Sequence, residues 1–135
     1  MKDRGVVAKL YRAERFFYTH HMKFIAKLFY FIIYTMFNCV IPPSCDIGKG
    51  LHIAHSVGIV LHSDLIIGER VTIYQNVTIG GGRCVIGNDV KIGTGSVILG
   101  PVNIKDNAVI GALTFVNFDV SENETIVGFK GRRKE

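Results

Sequence analysis

From Ile41 onward a branched aliphatic residue recurs every six positions, and this spacing constrains the fold before any local propensity is weighed. The anchors run Ile41, Ile47, Ile53, Ile59, then Ile67, Ile73, Ile79, then Ile86, Ile92, Ile98, Ile104, Ile110 and Val116. Four positions after most anchors stands a second small or medium residue, among them Cys45, Val57, Ser63, Val71, Ser96 and Val120. Glycine directly follows several anchors, as in Ile47-Gly48 and Ile92-Gly93. A short strand of β-branched residues points alternate side chains inward, and glycine permits the turn that must follow within the same hexad. Three hexads make one triangular coil, and successive coils stack their anchors into an aliphatic core. An α-helix does not fit, because its period is ~3.6 and glycine at this density would cost ~1 kcal/mol per site. A β-sandwich would space its strand signals more widely.

The register breaks twice. The step from Ile59 to Ile67 is two residues too long, and the step from Ile79 to Ile86 is one too long and contains Gly80-Gly81-Gly82-Arg83. Extra residues in a solenoid bulge outward as loops, usually on a working face. The expected organisation is a helical segment over 1–38, a solenoid over 39–128 and a basic tail over 129–135.

Charge and composition narrow the function classes. The net charge is +5, and it is concentrated at the ends. Lys2, Arg4, Lys9, Arg12, Arg15, Lys23 and Lys27 in the lead face only Asp3 and Glu14, and the tail holds Lys130, Arg132, Arg133 and Lys134. Basic residues beside apolar sequence point to an anionic membrane surface or an acidic ligand rather than nucleic acid, for which no motif is present. Cys39, Cys45 and Cys84 form neither a disulfide framework nor a zinc site, which favours a reducing cytoplasm; Cys45 falls on an inward position. The apolar stretch Met22 to Phe37 is too short to span a bilayer, which needs ~20 residues, and no signal-peptide cleavage site follows it. Ile25, Leu28, Phe29, Ile32, Ile33 and Met36 form one helical stripe, widened by Phe24, Tyr30, Phe31 and Tyr34, and Pro42-Pro43 ends the helical part. Two roles suit that helix: a cap packed on the solenoid end or on a neighbouring subunit, or an interfacial helix lying on anionic lipid.

The only candidate general bases in the solenoid are His52, His55 and His62. His52 and His62 fall at different phases of the repeat from His55, so the three need not point one way.

The stretch from Ile41 to Gly128 resembles the hexapeptide-repeat acyltransferases, and within them the serine acetyltransferase-like group. The marks are Gly50-Leu51-His52-Ile53-Ala54-His55-Ser56-Val57-Gly58 and Gln75-Asn76-Val77-Thr78-Ile79-Gly80-Gly81. They are similar to the family's Asp-His-x-x-Gly and Gln-x-Val-Thr-Leu-Gly-Gly. The resemblance implies a left-handed parallel β-helix, a homotrimer, and acetyl-CoA sites between neighbouring subunits. It implies that His55 is the catalytic base, taking the proton from an acceptor hydroxyl as that oxygen attacks the thioester; such a base is worth ~10²–10⁴ in rate. Gly80, Gly81 and Gly82 match the segment that admits the pantetheine arm, where backbone N–H groups can hold the thioester oxygen. Gly93, Gly95 and Ser96 match a later stretch lining the same groove. Arg132 matches a basic residue beyond the last turn, where it or Lys130 would meet CoA phosphate. His52, His62 and Tyr74 are the candidates for contacting the acceptor, and no metal is expected.

Three departures bear on the acceptor. Ala54 stands where the family has aspartate before the histidine, and Val40-Ile41-Pro42-Pro43 stands where the serine-specific members have Asp-Ile-His-Pro. Gly82-Arg83-Cys84 closes a loop that is longer in those members and carries their second histidine. The helical lead is short. These features favour an O-acetyltransferase acting on a sugar hydroxyl of a surface polysaccharide or its precursor, in the cytoplasm and with peripheral contact to the membrane. The alternatives are serine O-acetyltransferase and, in another class, a non-catalytic β-helix scaffold. A γ-type carbonic anhydrase would need zinc histidines beyond His62, and the chain has none there.

Overall fold

The computed structural model describes residues 1–128, 130, 131 and 133. Two helices lead, α1 (Val6–Thr19) and α2 (Lys23–Phe37), and thirteen short strands follow among the described residues. The first coil is β1 (Asp46–Ile47), β2 (His52–Ile53) and β3 (Val60–Leu61). The second is β4 (Ile66–Ile67), β5 (Thr72–Ile73) and β6 (Thr78–Gly80). The third is β7 (Cys84–Ile86), β8 (Lys91–Ile92) and β9 (Val97–Leu99). The fourth is β10 (Val102–Ile104), β11 (Val109–Ile110) and β12 (Phe115–Val116), and β13 (Thr125–Ile126) opens a fifth.

Each strand from β1 to β9 pairs in parallel with the strand three places later, and β11 pairs with β13, which builds a three-sided solenoid. Face one stacks β1-β4-β7-β10, face two β2-β5-β8-β11-β13, and face three β3-β6-β9-β12. Ile53 registers with Ile73 and Ile73 with Ile92, so one aliphatic column runs through face two. The anchors Ile41, Ile73, Ile92 and Ile98 are fully buried, and each such side chain contributes about 1.5–3 kcal/mol over its exposed state. The turns need a left-handed residue, and Asn76, Asp89, Asn107 and Asn123 supply it with φ of 57–60°, a conformation that asparagine and aspartate tolerate.

The register corrects the position of the first break. Ile53 pairs with Ile73 and Leu61 with Ile79, so the two extra residues lie between Ile53 and Leu61 rather than after Ile59. They enlarge the turn from Ala54 to Gly58. Leu61 is therefore the anchor of β3, and Ile59 and Leu65 take the inward places expected of Val57 and Ser63. Val57 is 46% exposed as a result. The second break lies where expected, in the turn Gly81–Arg83 between β6 and β7.

The lead is also arranged differently from the expectation. The cap on the solenoid is α1, whose Val7, Ala8, Tyr11 and Glu14 form a buried stripe. The Tyr11 hydroxyl donates to the Cys45 carbonyl at 2.5 Å. Arg12 donates through Nη1 to the Ile47 carbonyl at 2.6 Å and pairs with Asp3 at 2.6 Å. The backbone of Arg4 bridges to His52, and that of Val40 to Val60, extending two faces beyond the first coil. In α2 only Ala26 and Ile33 are buried; Leu28 and Met36, expected in the packed stripe, are exposed. The helix ends at Phe37 on a left-handed Asn38, before Pro42-Pro43 is reached. Among the described residues no helix is long and apolar enough to cross a membrane.

Candidate active site

Because the chain turns a corner after every strand, the candidate residues in the turns belong to one of three edges of the prism. His55 follows β2 and lies on the edge between faces two and three, exposed at the tip of the enlarged turn. Its carbonyl accepts from the Val57 N–H at 2.9 Å, which folds the turn back on itself. Tyr74 follows β5 and lies one coil further along the same edge, where the Ala54 N–H donates to the Ile73 carbonyl at 3.2 Å. Gly93 and Gly95 follow β8, again on this edge, and the Gly95 N–H donates to the Gln75 carbonyl at 3.0 Å. At Gly93 a Cβ would meet the backbone of Ala112 and Gly111 at 2.6–2.7 Å, so close coil stacking accounts for that glycine. Ser96 is fully buried, and its hydroxyl donates to the Gly111 carbonyl at 2.7 Å. Its side chain is committed to the interior, and its backbone is bonded to Gly93 and Thr78, so Ser96 lines no groove among the described residues of this chain.

The next edge, between face three and face one of the following coil, holds a second group. His62 follows β3, and one coil later Gly80 ends β6 and Gly81 and Gly82 follow it. A Cβ placed on Gly80 would lie 3.9 Å from the His62 Cβ, so the histidine stands over this glycine. Gly81 and Gly82 have φ of 73° and 145°, both in the region that favours glycine. A Cβ on Gly82 would meet the Gly100 carbonyl carbon at 3.1 Å, and the Gly100 N–H donates to the Gly80 carbonyl at 2.7 Å. Among the described residues no hydrogen bond uses the N–H of Gly81 or Gly82. A groove of about 470 Å³ runs here, lined in part by His62, Ser63, Asp64, Gly82 and Arg83. Cys84 lies beneath the loop, and burial pushes its thiol up, which keeps it protonated and unreactive.

The remaining residues stand apart from both groups. His52 lies on face two beside Arg4, Arg70 and Thr72, in a separate groove of about 310 Å³. On the edge between faces one and two, Arg70 grips Asp89 with two hydrogen bonds of 2.6 and 2.7 Å, and this pairing holds the Asp89 carboxyl below the usual range. Lys130 is exposed, and Arg132 lies outside the described residues.

One chain therefore brings His55, Tyr74, Gly93 and Gly95 to one edge, and His62 with Gly80–Gly82 to another. Face three separates the two. Asp64 and Gly100 adjoin this second group and were not singled out in the sequence, whereas Arg83 was placed in the bulging loop; the usable signal was Gly100, which repeats the place of Gly81 one coil later.

Comparison with known proteins fits this architecture. Residues 83–117 match the family described as bacterial transferase hexapeptide (six repeats), which defines a hexapeptide-repeat transferase. The serine acetyltransferase of Helicobacter pylori is 34% identical over 136 residues, covering 95% of this chain and 80% of that protein. A serine acetyltransferase in complex with CoA superposes with a TM-score of 0.85 at 32% identity, over 93% of this chain and 54% of that one. The soybean serine acetyltransferase complexed with serine superposes with a TM-score of 0.82 at 30% identity, over 93% and 55%. The chain belongs to the serine acetyltransferase family. It spans between half and three fifths of the length of several curated relatives it matches.

Proposed function

We propose that this chain is an acetyl-CoA-dependent O-acetyltransferase with L-serine as acceptor, and that its site is completed by a second copy of the chain. The observation that carries this reading is the pair of N–H groups on Gly81 and Gly82, unbonded among the described residues, at a corner whose positive φ values favour glycine, in a chain 34% identical to a serine acetyltransferase. In the proposed step His55 removes the proton from the acceptor hydroxyl, and the oxygen attacks the thioester carbon. The negative charge that develops on the thioester oxygen is received by the Gly81 and Gly82 N–H groups. The C–S bond then breaks, the acetyl ester is released, and the imidazolium returns its proton to the departing CoA sulfur.

Because His55 and Gly80–Gly82 stand on different edges, His55 of one copy serves the glycine corner of the next, in a closed cyclic trimer. This accounts for a solenoid with flat parallel faces and a base whose ring has no hydrogen-bond partner among the described residues. His62, Asp64 and Arg83 then line the acceptor side of the groove, offering both signs of charge to a zwitterionic amino acid.

A second reading, with a sugar hydroxyl as acceptor, is favoured by Ala54, which leaves no carboxylate next to His55 to meet an amine. Thiol release from acetyl-CoA, measured with L-serine and then with capsule-type oligosaccharides, separates the two. Turnover with neither acceptor would remove the enzymatic reading and leave a scaffold. The two-copy site has its own test, in which His55→Ala and Gly82→Val chains are co-expressed. If sites form between neighbours in a randomly mixed trimer, about one quarter pair an intact His55 with an intact corner, so activity returns to about a quarter of wild type. Mixed particles as inactive as either parent would place the whole site in one chain.

A further inference from the structure

Helix α2 has two apolar sides, and only one is covered. Ala26 and Ile33 are buried, while Phe24 is 86% exposed and Phe31 60%. At 100° per residue, Phe24, Leu28 and Phe31 fall on one strip, with Lys23, Lys27, Tyr30 and Tyr34 along its edge. A cavity of about 590 Å³ opens between Tyr18, Lys23, Phe24, Lys27, Tyr30 and Pro43, and a groove of about 340 Å³ follows over Lys27, Leu28 and Phe31.

A helix with a second, uncovered apolar strip needs a second partner. A bilayer crossing is excluded by length, since fifteen residues reach only ~22 Å against a hydrocarbon core of ~30 Å. Charge selects among the rest. The helix contains no acidic residue, and among the described residues neither lysine has an ion-pair partner. A second α2 laid on this face would bring no carboxylate to the lysines. An anionic lipid surface supplies both components: acyl chains for the phenylalanines and phosphates for the ammonium groups. Tyrosine and lysine at the strip's edge suit the boundary, since each has an apolar body and a polar tip.

We infer that α2 lies flat on an anionic membrane, with Phe24, Leu28 and Phe31 at the acyl boundary and Lys23 and Lys27 on headgroup phosphates. This stands independently of the acceptor. The test is flotation of the full chain with vesicles of phosphatidylcholine alone, or with one third phosphatidylglycerol. The expected result is flotation with the anionic vesicles at low salt and little with the neutral ones. Lys23→Gln with Lys27→Gln should lower binding by roughly 10- to 30-fold, at ~1 kcal/mol for each lysine. Phe24→Ser with Phe31→Ser should lower it at least about tenfold. All four positions are exposed, so both variants should fold, and far-UV circular dichroism checks this. If the phenylalanine pair fails to fold, the lysine pair carries the same test. No preference for anionic vesicles, or flotation unchanged in the variants, overturns the inference. So does a fall in sedimentation coefficient on Phe24→Ser/Phe31→Ser in a chain that does not float, which would assign the face to a second copy.

Discussion

Glu14 should make this protein lose stability as pH rises through neutrality. Its side chain is fully buried on the docking stripe of α1, and neither carboxyl oxygen has a hydrogen-bond partner among the described residues. Burial pushes its pKa up from 4.5 to about 8. The folded protein therefore holds the proton through neutral pH while the unfolded chain releases it. Stability is fully present below the ordinary value of 4.5 and falls as pH rises towards 8. Neutrality lies about 2.5 pH units above the unfolded value, and each unit is worth ~1.4 kcal/mol, so about 3 kcal/mol is lost by pH 7. Glu14→Leu keeps the stripe apolar and removes the proton linkage. Urea denaturation of both proteins, at one protein concentration and several pH values, isolates the effect. The stability advantage of Glu14→Leu should grow by about 2–3 kcal/mol between pH 5 and pH 7. An advantage that does not change with pH would mean that Glu14 is ionised in the fold, and the argument would fail.

Three further outcomes follow from the geometry. His55→Ala should lower turnover by ~10²–10⁴ with CoA affinity nearly unchanged, and a wild-type rate in this variant alongside an inactive His62→Ala would move the base to the other edge. Gly82→Ala should destabilise by ~1–3 kcal/mol, because φ of 145° and the Gly100 carbonyl carbon at 3.1 Å both oppose a Cβ. Thermal denaturation and calorimetric titration with CoA check it, and unchanged values in both would remove the glycine corner from the site. Leu113→Asn should stabilise by ~0.5–1 kcal/mol, since Leu113 is 79% exposed at φ 54° where other turns use asparagine; an unchanged melting temperature contradicts this.

The solenoid was legible because its core repeats. Each anchor sees the same surroundings as the one a coil away, so a single spacing predicts most inward positions. It misled at the enlarged turn because Ile59 and Leu61 are both aliphatic and two residues apart, and alternation lets either serve as the anchor. Only the pairing of Leu61 with Ile79 decides between them. The lead carried no such redundancy. Both helices have apolar residues on several sides, and α1 became the cap through Tyr11 and Arg12, whose bonds reach backbone carbonyls 34 and 35 residues away. No local pattern encodes such contacts.

The division of the proposed site between two edges was within reach of the sequence, although phase alone hides it. A period of six places a residue within one side of the prism and gives His55, Tyr74, Gly81 and Gly93 the same description, as turn residues after a strand. The edge depends on the strand count modulo three. Tyr74 follows the fifth strand and Gly93 the eighth, three and six after the second strand that precedes His55, so they share its edge. His62 follows the third strand and Gly81 the sixth, so they share the next edge with each other and never with His55. Neither insertion alters this count, since each lengthens a turn without adding a strand. Groups that must meet one thioester carbon but stand on different edges of a rigid prism cannot be united by local motion. The requirement for a neighbouring copy thus follows from the order of strands together with the proposed chemistry.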